Sequence, residues 1–511
     1  MSHSPARRRP SRLTLAVAAV LLGGSLSGSL AGCTAAPSSS SPSTASPTAP
    51  SPSVTSPPVT SPAATSRASS TSPIESGSPT SPGSAEPSQL SDLAKLPDLS
   101  PLLVPEPDPE VLGPLLDDAL SVQSGTMSAA VRDGLTGELL YDHGADQPVV
   151  PASAVKVLTA VAALEVLGPD HRYTTSAVSM PAGEDRTAVV LDAGGDVLLG
   201  TGENAEDANG RAGLDTLAYS TVKALQKNGT TGDVVVRLDD SGYAGPGASP
   251  AWSSDIVSSG NASTVQPLAT YGGRAYPSRD TNRLHDPAEY AAEVFRERLK
   301  AHAENLGVEI TVGGDVARTT LKGRGTTVAE VNSATVAEQM RYMLRTSDNQ
   351  LAEATGRNLA LASGSPGSFD GATESIEKTL TGFGMDTDGL DLRDASGLSG
   401  KNHVSAAQLT SALQIATTDP RLETAVTGLP VAGEQGTLEN RMVGTDAEGE
   451  VQAKTGTLSS VASLTGTVDT VDGRTLLFSF VANDQPGVLT DARFAVDRAA
   501  AVLAGCGCRA D

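Results

Sequence analysis

The sequence predicts an α+β fold in which a single antiparallel sheet is built from both ends of the globular part of the chain. Near its start, apolar runs at 126–131 and 138–141 flank Asp133-Gly134, a pattern typical of a β-hairpin. Further strand-like runs lie near the C-terminal end, and most predicted helices lie between the two groups. Residues 176–330 instead alternate short strand-like runs with Gly-rich turns, which predicts an insert of mixed α and β structure.

The elements follow in order from hydrophobic periodicity. Apolar residues at helical spacing after Pro151 predict an amphipathic helix that ends at Gly168. Within the insert we expect strands at 188–191, 234–238 and 308–312, with helices at 214–226 and 287–306. Beyond it we expect helices from 335 onward with a break at 347–349, then at 372–381 and 406–417. Strands at 451–453, 461–468 and 476–481 and a helix at 491–503 complete the prediction.

The composition excludes several classes of function. The chain carries 36 basic and 59 acidic residues, a formal net charge of −23, so it would repel the phosphates of nucleic acid. Its three cysteines, Cys33, Cys506 and Cys508, form no pair of C-x-x-C motifs, which excludes a zinc ribbon. The sequence also lacks the H-E-x-x-H pattern of simple zinc proteases. Because of its negative net charge, we expect the chain to have no nucleic-acid partner.

Residues 1–33 have the pattern of an export signal. Basic residues around Arg7 and Arg12 precede an apolar run at 13–22 that is too short for a comfortable membrane span. The segment that ends at Cys33, Leu-Ala-Gly-Cys, resembles the bacterial lipobox, and this resemblance implies a lipid anchor on Cys33 as the membrane contact. An ordinary signal peptide with an incidental cysteine is the alternative.

Residues 34–105 are dominated by Ser, Pro and Thr and are predicted to be a disordered linker. The remaining chain is expected to form one domain from 106–175 and 331–505. The segment 176–330 would then be an accessory insertion within that domain.

The first motif with chemical potential is Ser153-Ala154-Val155-Lys156. Positions i and i+3 share a helix face, so the lysine amine can reach the serine hydroxyl and activate it as a nucleophile. The same spacing at Ser220–Lys223 falls inside a predicted helix. The same spacing at Ser375–Lys378 comes after the second motif in the chain. We therefore interpret the matches at Ser220–Lys223 and Ser375–Lys378 as chance matches.

Two further motifs complete a set. Ser347-Asp348-Asn349 interrupts a helical stretch, which places a hydroxyl and a carboxamide on a turn where they can relay a proton and hold a substrate amide. The similar Ser259-Gly260-Asn261 lies in a loop of the insert and ranks below it. Lys454-Thr455-Gly456-Thr457 follows a strand-like run, whose edge could bind a carboxylate and accept substrate as an added strand.

The three motifs in this order form the S-x-x-K, S-D-N and K-T-G signature of β-lactamases and penicillin-binding proteins. The chain resembles the D-alanyl-D-alanine carboxypeptidase/endopeptidases, the class C low-molecular-mass penicillin-binding proteins. The resemblance rests on the stretches around the three motifs, on Asp394-Ala-Ser-Gly-Leu-Ser399, and on Gly436-Thr-Leu438 with Arg441. It implies a β-lactamase/transpeptidase-like core, an antiparallel sheet flanked by helices, with the insert between the first and second motifs.

The resemblance also implies the roles of the residues. Ser153 would be the nucleophile and Lys156 the base, with Ser347 and Lys454 as proton relays and Asn349 on the substrate amide. Thr455, Gly456 and Thr457 would bind substrate, and the N–H groups of Ser153 and Thr457 would form the oxyanion hole. The implied substrate is the peptidoglycan stem peptide, with β-lactams as acylating inhibitors and no metal or cofactor. The implied location is outside the cell membrane, lipid-anchored and facing the wall.

Two alternative functions stay open at this stage. A serine β-lactamase shares the acyl-enzyme chemistry, although the 190 residues between Lys156 and Ser347 are far more than such enzymes carry there. A catalytically idle wall-binding or penicillin-sensing lipoprotein would be expected to carry a damaged motif, and none is seen. The sequence does not decide between carboxypeptidase and endopeptidase activity.

Overall fold

The computed structural model describes residues 104–278, 282–487 and 489–508. The predicted signal peptide, Cys33 and nearly all of the predicted linker lie outside the described residues. In the described part, no helix has both the length and the apolar character needed to cross a membrane.

A five-stranded antiparallel sheet joins the two ends of the described chain. Its strands are β1 (Thr126–Asp133), β2 (Leu139–His143), β9 (Val451–Leu458), β10 (Val461–Asp469) and β11 (Thr475–Asn483), in the order β2-β1-β11-β10-β9. The hairpin β1–β2 pairs with β11, the last strand in the chain, over eight residues. The prediction of one antiparallel sheet built from both ends is therefore confirmed.

Helices cover both faces of this sheet. On one side, α1 (Pro109–Ala119) and α10 (Thr490–Ala504) pack on an apolar cluster that includes Phe478 and Phe480. On the other side lie α2 (Val155–Leu167), α5 (Val336–Thr346), α6 (Asn349–Ala362), α7 (Phe369–Gly382), α8 (Ala406–Thr418) and the short α9 (Thr424–Thr427). These helices enclose the largest apolar core, which is centred on α2.

The segment between α2 and α5 forms a second, mixed sheet. Strands β3 (Thr174–Pro181), β4 (Arg186–Asp192), β5 (Gly232–Asp239), β6 (Ile310–Val312) and β8 (Thr326–Asn332) lie in the order β6-β5-β4-β3-β8, and β7 (Ala317–Arg318) also pairs with β5. Helices α3 (Leu214–Lys227) and α4 (Pro287–Asn305) cover it and bury a separate apolar cluster. The segment has the mixed α/β character that the sequence predicts for the insert.

Helix α2 differs from its prediction in one respect. It begins and ends where expected, but Val155–Leu164 are buried on every side, so the helix is not amphipathic. Its periodic apolar residues fit an amphipathic helix as well as a buried one, because the positions between them hold a mixture of apolar, small and polar residues that includes Lys156 and Thr159. The structure also pairs Cys506 with Cys508 in a disulfide beside α1 and α10.

Candidate active site

Ser153 lies in a tight turn that the central sheet holds in place. Residues Ala152–Ala154 form a single 3₁₀ turn directly before α2. The Asn483 side chain, at the end of β11, bonds to both the N–H and the carbonyl of Val150, at 2.9 and 3.1 Å. The Pro151 carbonyl accepts a 2.8 Å bond from the Ser463 hydroxyl on β10. Ala152 has φ +50°, a left-handed conformation that costs a non-glycine residue about 1–3 kcal/mol.

Lys156 lies one helical turn beyond Ser153 and is fully buried. Its Nζ is 3.1 Å from the Ser153 Oγ, 2.8 Å from the Asn349 Oδ1 and 2.5 Å from the Ser396 carbonyl oxygen. These three oxygen atoms surround the Lys156 amine and come from three separate segments of the chain. Burial lowers the pKa of Lys156 to about 8, even though nearby carboxylates oppose that shift.

The predicted turn at 347–349 lies between α5 and α6. Ser347 ends α5 with φ +55°, and Asp348 starts α6 by accepting a 2.9 Å bond from the Leu351 N–H. Asn349 uses its Oδ1 for Lys156 and donates from Nδ2 to the Asn261 carbonyl at 2.9 Å. Because a carbonyl can only accept, this last bond fixes which way the Asn349 amide points.

The third motif lies on β9, which forms one edge of the five-stranded sheet. Thr457 is exposed at this edge, whereas Lys454 is fully buried and its Nζ donates to the Thr455 carbonyl at 2.8 Å. The Thr455 hydroxyl donates to the Thr437 hydroxyl at 2.9 Å. Thr437 belongs to a Gly-Thr-Leu stretch that carries part of the family resemblance.

Gly456 has a structural reason for lacking a side chain. A Cβ at this position would lie 2.9 Å from the Pro151 carbonyl oxygen and 3.1 Å from the Ala152 Cβ. The missing side chain therefore lets β9 pack against the turn that carries Ser153. The family resemblance implies that Gly456 binds substrate, and the structure shows that it also allows this packing.

A cleft of about 820 Å³ brings the three motifs together. Its walls include Ser153, Ser347, Asn349 and Thr457, while Lys454, Thr455 and Gly456 lie behind Thr457 on the same strand. The remaining walls come from the insert, from the loop after α7 and from the end of β9: Ala251, Trp252, Ser253, Asp255, Ile256 and Asn261, then Gly397, Leu398, Gly400 and Lys401, then Leu458 and Ser459. Asn261, the last residue of the low-ranked Ser259–Asn261 motif, thus forms part of the cleft wall.

Two buried carboxylates beneath the cleft were given no role by the sequence argument. Glu353 on α6 accepts bonds from the N–H groups of Ala395 and Ser396, at 3.2 and 3.0 Å. It thereby holds the loop whose Ser396 carbonyl accepts from Lys156. Burial raises the pKa of Glu353 to about 8, and the neighbouring Asp394 adds to the shift.

Asp394 joins this loop to the insert. Its Oδ1 accepts from the Gly397 N–H at 2.7 Å, and its Oδ2 accepts from the Ser399 N–H at 2.6 Å and from the Trp252 Nε1 at 2.8 Å. Trp252 is the single tryptophan of the sequence and forms part of the cleft wall. Its uniqueness was the one sequence signal that could have drawn attention to it.

The family and the relatives that this chain matches are described as carboxypeptidases. Residues 113–284 and 272–503 match the D-Ala-D-Ala carboxypeptidase 3 (S13) family. The carboxypeptidase DacB of Mycolicibacterium smegmatis is 36% identical over 395 residues, which cover 76% of this chain and 82% of that protein. The D-alanyl-D-alanine carboxypeptidase of an Actinomadura species is 30% identical over 445 residues, covering 74% and 81%.

Among solved structures, penicillin-binding protein 4 (dacB) from Haemophilus influenzae aligns with a TM-score of 0.60 at 20% identity. The alignment covers 75% of this chain and 97% of that one. At this identity the likeness concerns the fold, and it confirms the predicted α+β, transpeptidase-like core.

Proposed function

The chain belongs to the D-Ala-D-Ala carboxypeptidase 3 (S13) family, and from this premise we propose that Ser153 is its nucleophile. Membership makes the chain a serine-type D-Ala-D-Ala carboxypeptidase/endopeptidase, a hydrolase that acts on peptidoglycan stem peptides. The assignment of its site residues rests on one observation, which is the set of three oxygen atoms around the Lys156 amine.

We assign Lys156 as a neutral amine that can accept the proton of Ser153, and its three oxygen neighbours allow this form. The Ser396 carbonyl and the Asn349 Oδ1 can only accept, so they take the two N–H groups of neutral Lys156. The nitrogen lone pair is then left for the Ser153 hydroxyl, 3.1 Å away. This arrangement suits a general base and an activated nucleophile.

The proposed reaction has two halves. Ser153 Oγ attacks the carbonyl carbon of the penultimate D-Ala as its proton passes to Lys156, and the N–H groups of Ser153 and Thr457 would stabilise the resulting oxyanion. The peptide bond then breaks, and the proton taken up by Lys156 would pass through Ser347 and Lys454 to the departing D-Ala amine. Water hydrolyses the ester on Ser153 and releases the shortened peptide.

Substrate binding is assigned to the exposed edge of β9. An extended peptide can add as a further strand beside Thr457, with backbone hydrogen bonds providing affinity. Asn349 would contact the substrate amide. Lys454 would supply positive charge near the terminal carboxylate, which Thr455 and Thr457 would bind.

The domain boundaries and the anchor belong to the same proposal. We assign 106–175 and 331–505 to the catalytic domain and 176–330 to an accessory insert, with 34–105 as a linker. Export followed by lipidation of Cys33 would hold the enzyme at the outer face of the membrane, toward the wall. Detergent-phase partitioning tests this point, because Cys33→Ser should move the protein to the aqueous phase. Equal partitioning of both forms would contradict the anchor.

Product analysis tests the proposed activity. Purified enzyme should release free D-Ala from a synthetic stem peptide that ends in D-Ala-D-Ala, and cross-linked muropeptides show whether it also cleaves cross-bridges. Ser153→Ala, which keeps the fold but removes the nucleophile, should release nothing. Rapid nitrocefin turnover without D-Ala release or cross-bridge cleavage would instead identify a β-lactamase and overturn the proposal.

A further inference from the structure

Arg283 of the insert lies against the second motif and is almost completely enclosed. Its side chain is 4% exposed, and its Nη2 is 3.3 Å from the Asp348 Oδ2. Its Nε donates to the Gly260 carbonyl at 3.2 Å, and its Nη1 donates to the Gly272 carbonyl. One guanidinium therefore ties two loops of the insert to the turn between α5 and α6.

These contacts flank the hydrogen bond that orients the Asn349 amide. Asn349 donates to the Asn261 carbonyl. Arg283 contacts Asp348, which precedes Asn349, and Gly260, which precedes Asn261. The planar fork of an arginine suits such a bridge, because its donors leave in fixed directions. Loss of the bridge would free both sides of the Asn349–Asn261 bond together.

We propose that Arg283 is a positioning residue for the base: by bridging Asp348 and Gly260 it holds Asn349, and through Asn349 it holds Lys156. This inference rests on the proposed function, because it presumes that Lys156 takes the proton from Ser153. Through Arg283, the insert would help to position the catalytic base.

Charge gives Arg283 a second effect on Lys156. The groups that shift the pKa of Lys156 include Asp394, Glu353 and Asp348, which favour its protonated form when they are ionised, and Arg283, which opposes it. Arg283 and burial therefore lower the pKa of Lys156, and removing the guanidinium raises it. A higher pKa leaves less neutral amine at a given pH, so the acid limb of the activity profile moves to higher pH.

Asp348 depends on the same guanidinium. Burial alone would raise the pKa of Asp348, but Arg283, the Leu351 N–H and Arg274 together hold it below its usual value. Arg274 also lies near this carboxylate, with its Nη1 3.6 Å from the Asp348 Oδ2. Without Arg283 the carboxylate loses its nearer guanidinium and its pKa rises, while Arg274 remains beside it.

The test measures the rate of acylation by a fluorescent penicillin as a function of pH. Arg283→Gln removes the charge and most of the fork, whereas Arg283→Lys keeps the charge but loses the bridge. Arg296→Gln is the matched control, because Arg296 is an insert arginine on α4 that contacts Glu297 and the Gly314 carbonyl. Thermal unfolding of each variant shows whether it is folded.

The expected results separate position from charge. Arg283→Gln should slow acylation about ten- to a hundredfold, the range that small misplacements of catalytic groups produce, and move the acid limb to higher pH. Arg283→Lys should slow acylation while leaving the acid limb close to that of the wild type. Arg296→Gln should match the wild type in both respects.

Several outcomes would overturn the inference. A folded Arg283→Gln with the wild-type rate and profile would do so, as would a lower rate with an unmoved acid limb. If Arg283→Gln does not fold, Arg283→Lys decides, and a wild-type rate in that variant refutes the bridge. A wild-type enzyme that is not acylated at Ser153 would overturn the proposed function and this inference together.

Discussion

At the scale of single residues, the unusual feature is a lysine with no exposure to solvent. Lys156 is surrounded by the Ser153 hydroxyl and two oxygen atoms that cannot donate, and burial holds its pKa near 8. Such an amine loses its proton far more readily than a surface lysine. The groups that hold it come from α6 and from the loop after α7, so the base is set by tertiary contacts.

The pH dependence of acylation follows from this lysine. The neutral amine is the active form, so we expect the acylation rate to rise with pH up to about 8 and to level off above it. As pH falls below that value Lys156 becomes protonated and the rate declines about tenfold per pH unit. Stopped-flow measurement with a chromogenic β-lactam provides the profile. A rate that stays flat well below pH 8 would show that Lys156 does not act as the base.

The sequence predicted part of this residue pattern. Motif order separated Ser153–Lys156 from the chance match at Ser375–Lys378, which the structure places inside α7. Glu353, Asp394 and Arg283 were given no role, because an isolated acidic or basic residue in a sequence has a solvated surface as its default interpretation. Each has a partner far away in the chain: Ala395 lies 42 residues from Glu353, Asp348 lies 65 residues from Arg283, and Trp252 lies 142 residues from Asp394.

At the scale of elements, the contact between β9 and the turn before α2 shapes the site. The absence of a side chain at Gly456 lets the strand lie against Pro151 and Ala152. The Ser463 hydroxyl on the neighbouring strand bonds to the Pro151 carbonyl. The proposed nucleophile and the proposed substrate-binding edge are thus fixed relative to one another by the central sheet.

Gly456→Ala tests this contact. The added methyl group collides with the Ser463 hydroxyl and crowds the Pro151 carbonyl and Ala152. Overpacking of this kind typically costs about 1–3 kcal/mol of unfolding free energy. We expect a lower urea midpoint together with slower acylation by penicillin. Gly113→Ala is the control, because Gly113 lies in α1 with nothing within 4 Å of the added atom. Wild-type stability and acylation in Gly456→Ala would contradict the packing argument.

Element prediction succeeded where periodicity was strong and failed where it was weak. The hairpin, the helices on both sides of Ser347 and the final three strands lie where the pattern placed them. Strand β3 was missed because Thr174–Pro181 mixes small polar and apolar residues, and β8 was missed because most of its residues are polar or half-exposed. The all-round burial of α2 depends on neighbours that a single helix cannot reveal.

At the scale of the whole molecule, the proposed catalytic groups come from three distant parts of one chain. The turn before α2 supplies Ser153, the α5–α6 turn supplies Ser347 and Asn349, and β9 supplies Thr457, all in one cleft. The insert closes the same cleft with Trp252 and Asn261 and contacts the catalytic loops through Asp348 and Asp394. The sequence predicted the presence and mixed character of the insert, but its contacts with the site follow from packing alone.

Mapping the β-lactam adduct by mass spectrometry tests the central claim, which is that these three regions form one acyl-enzyme site. After brief exposure to benzylpenicillin, the wild-type protein should carry a single penicilloyl group on the peptide that contains Ser153, and Ser153→Ala should carry none. A wild-type protein without an adduct, or an equal adduct on Ser153→Ala, would contradict the account.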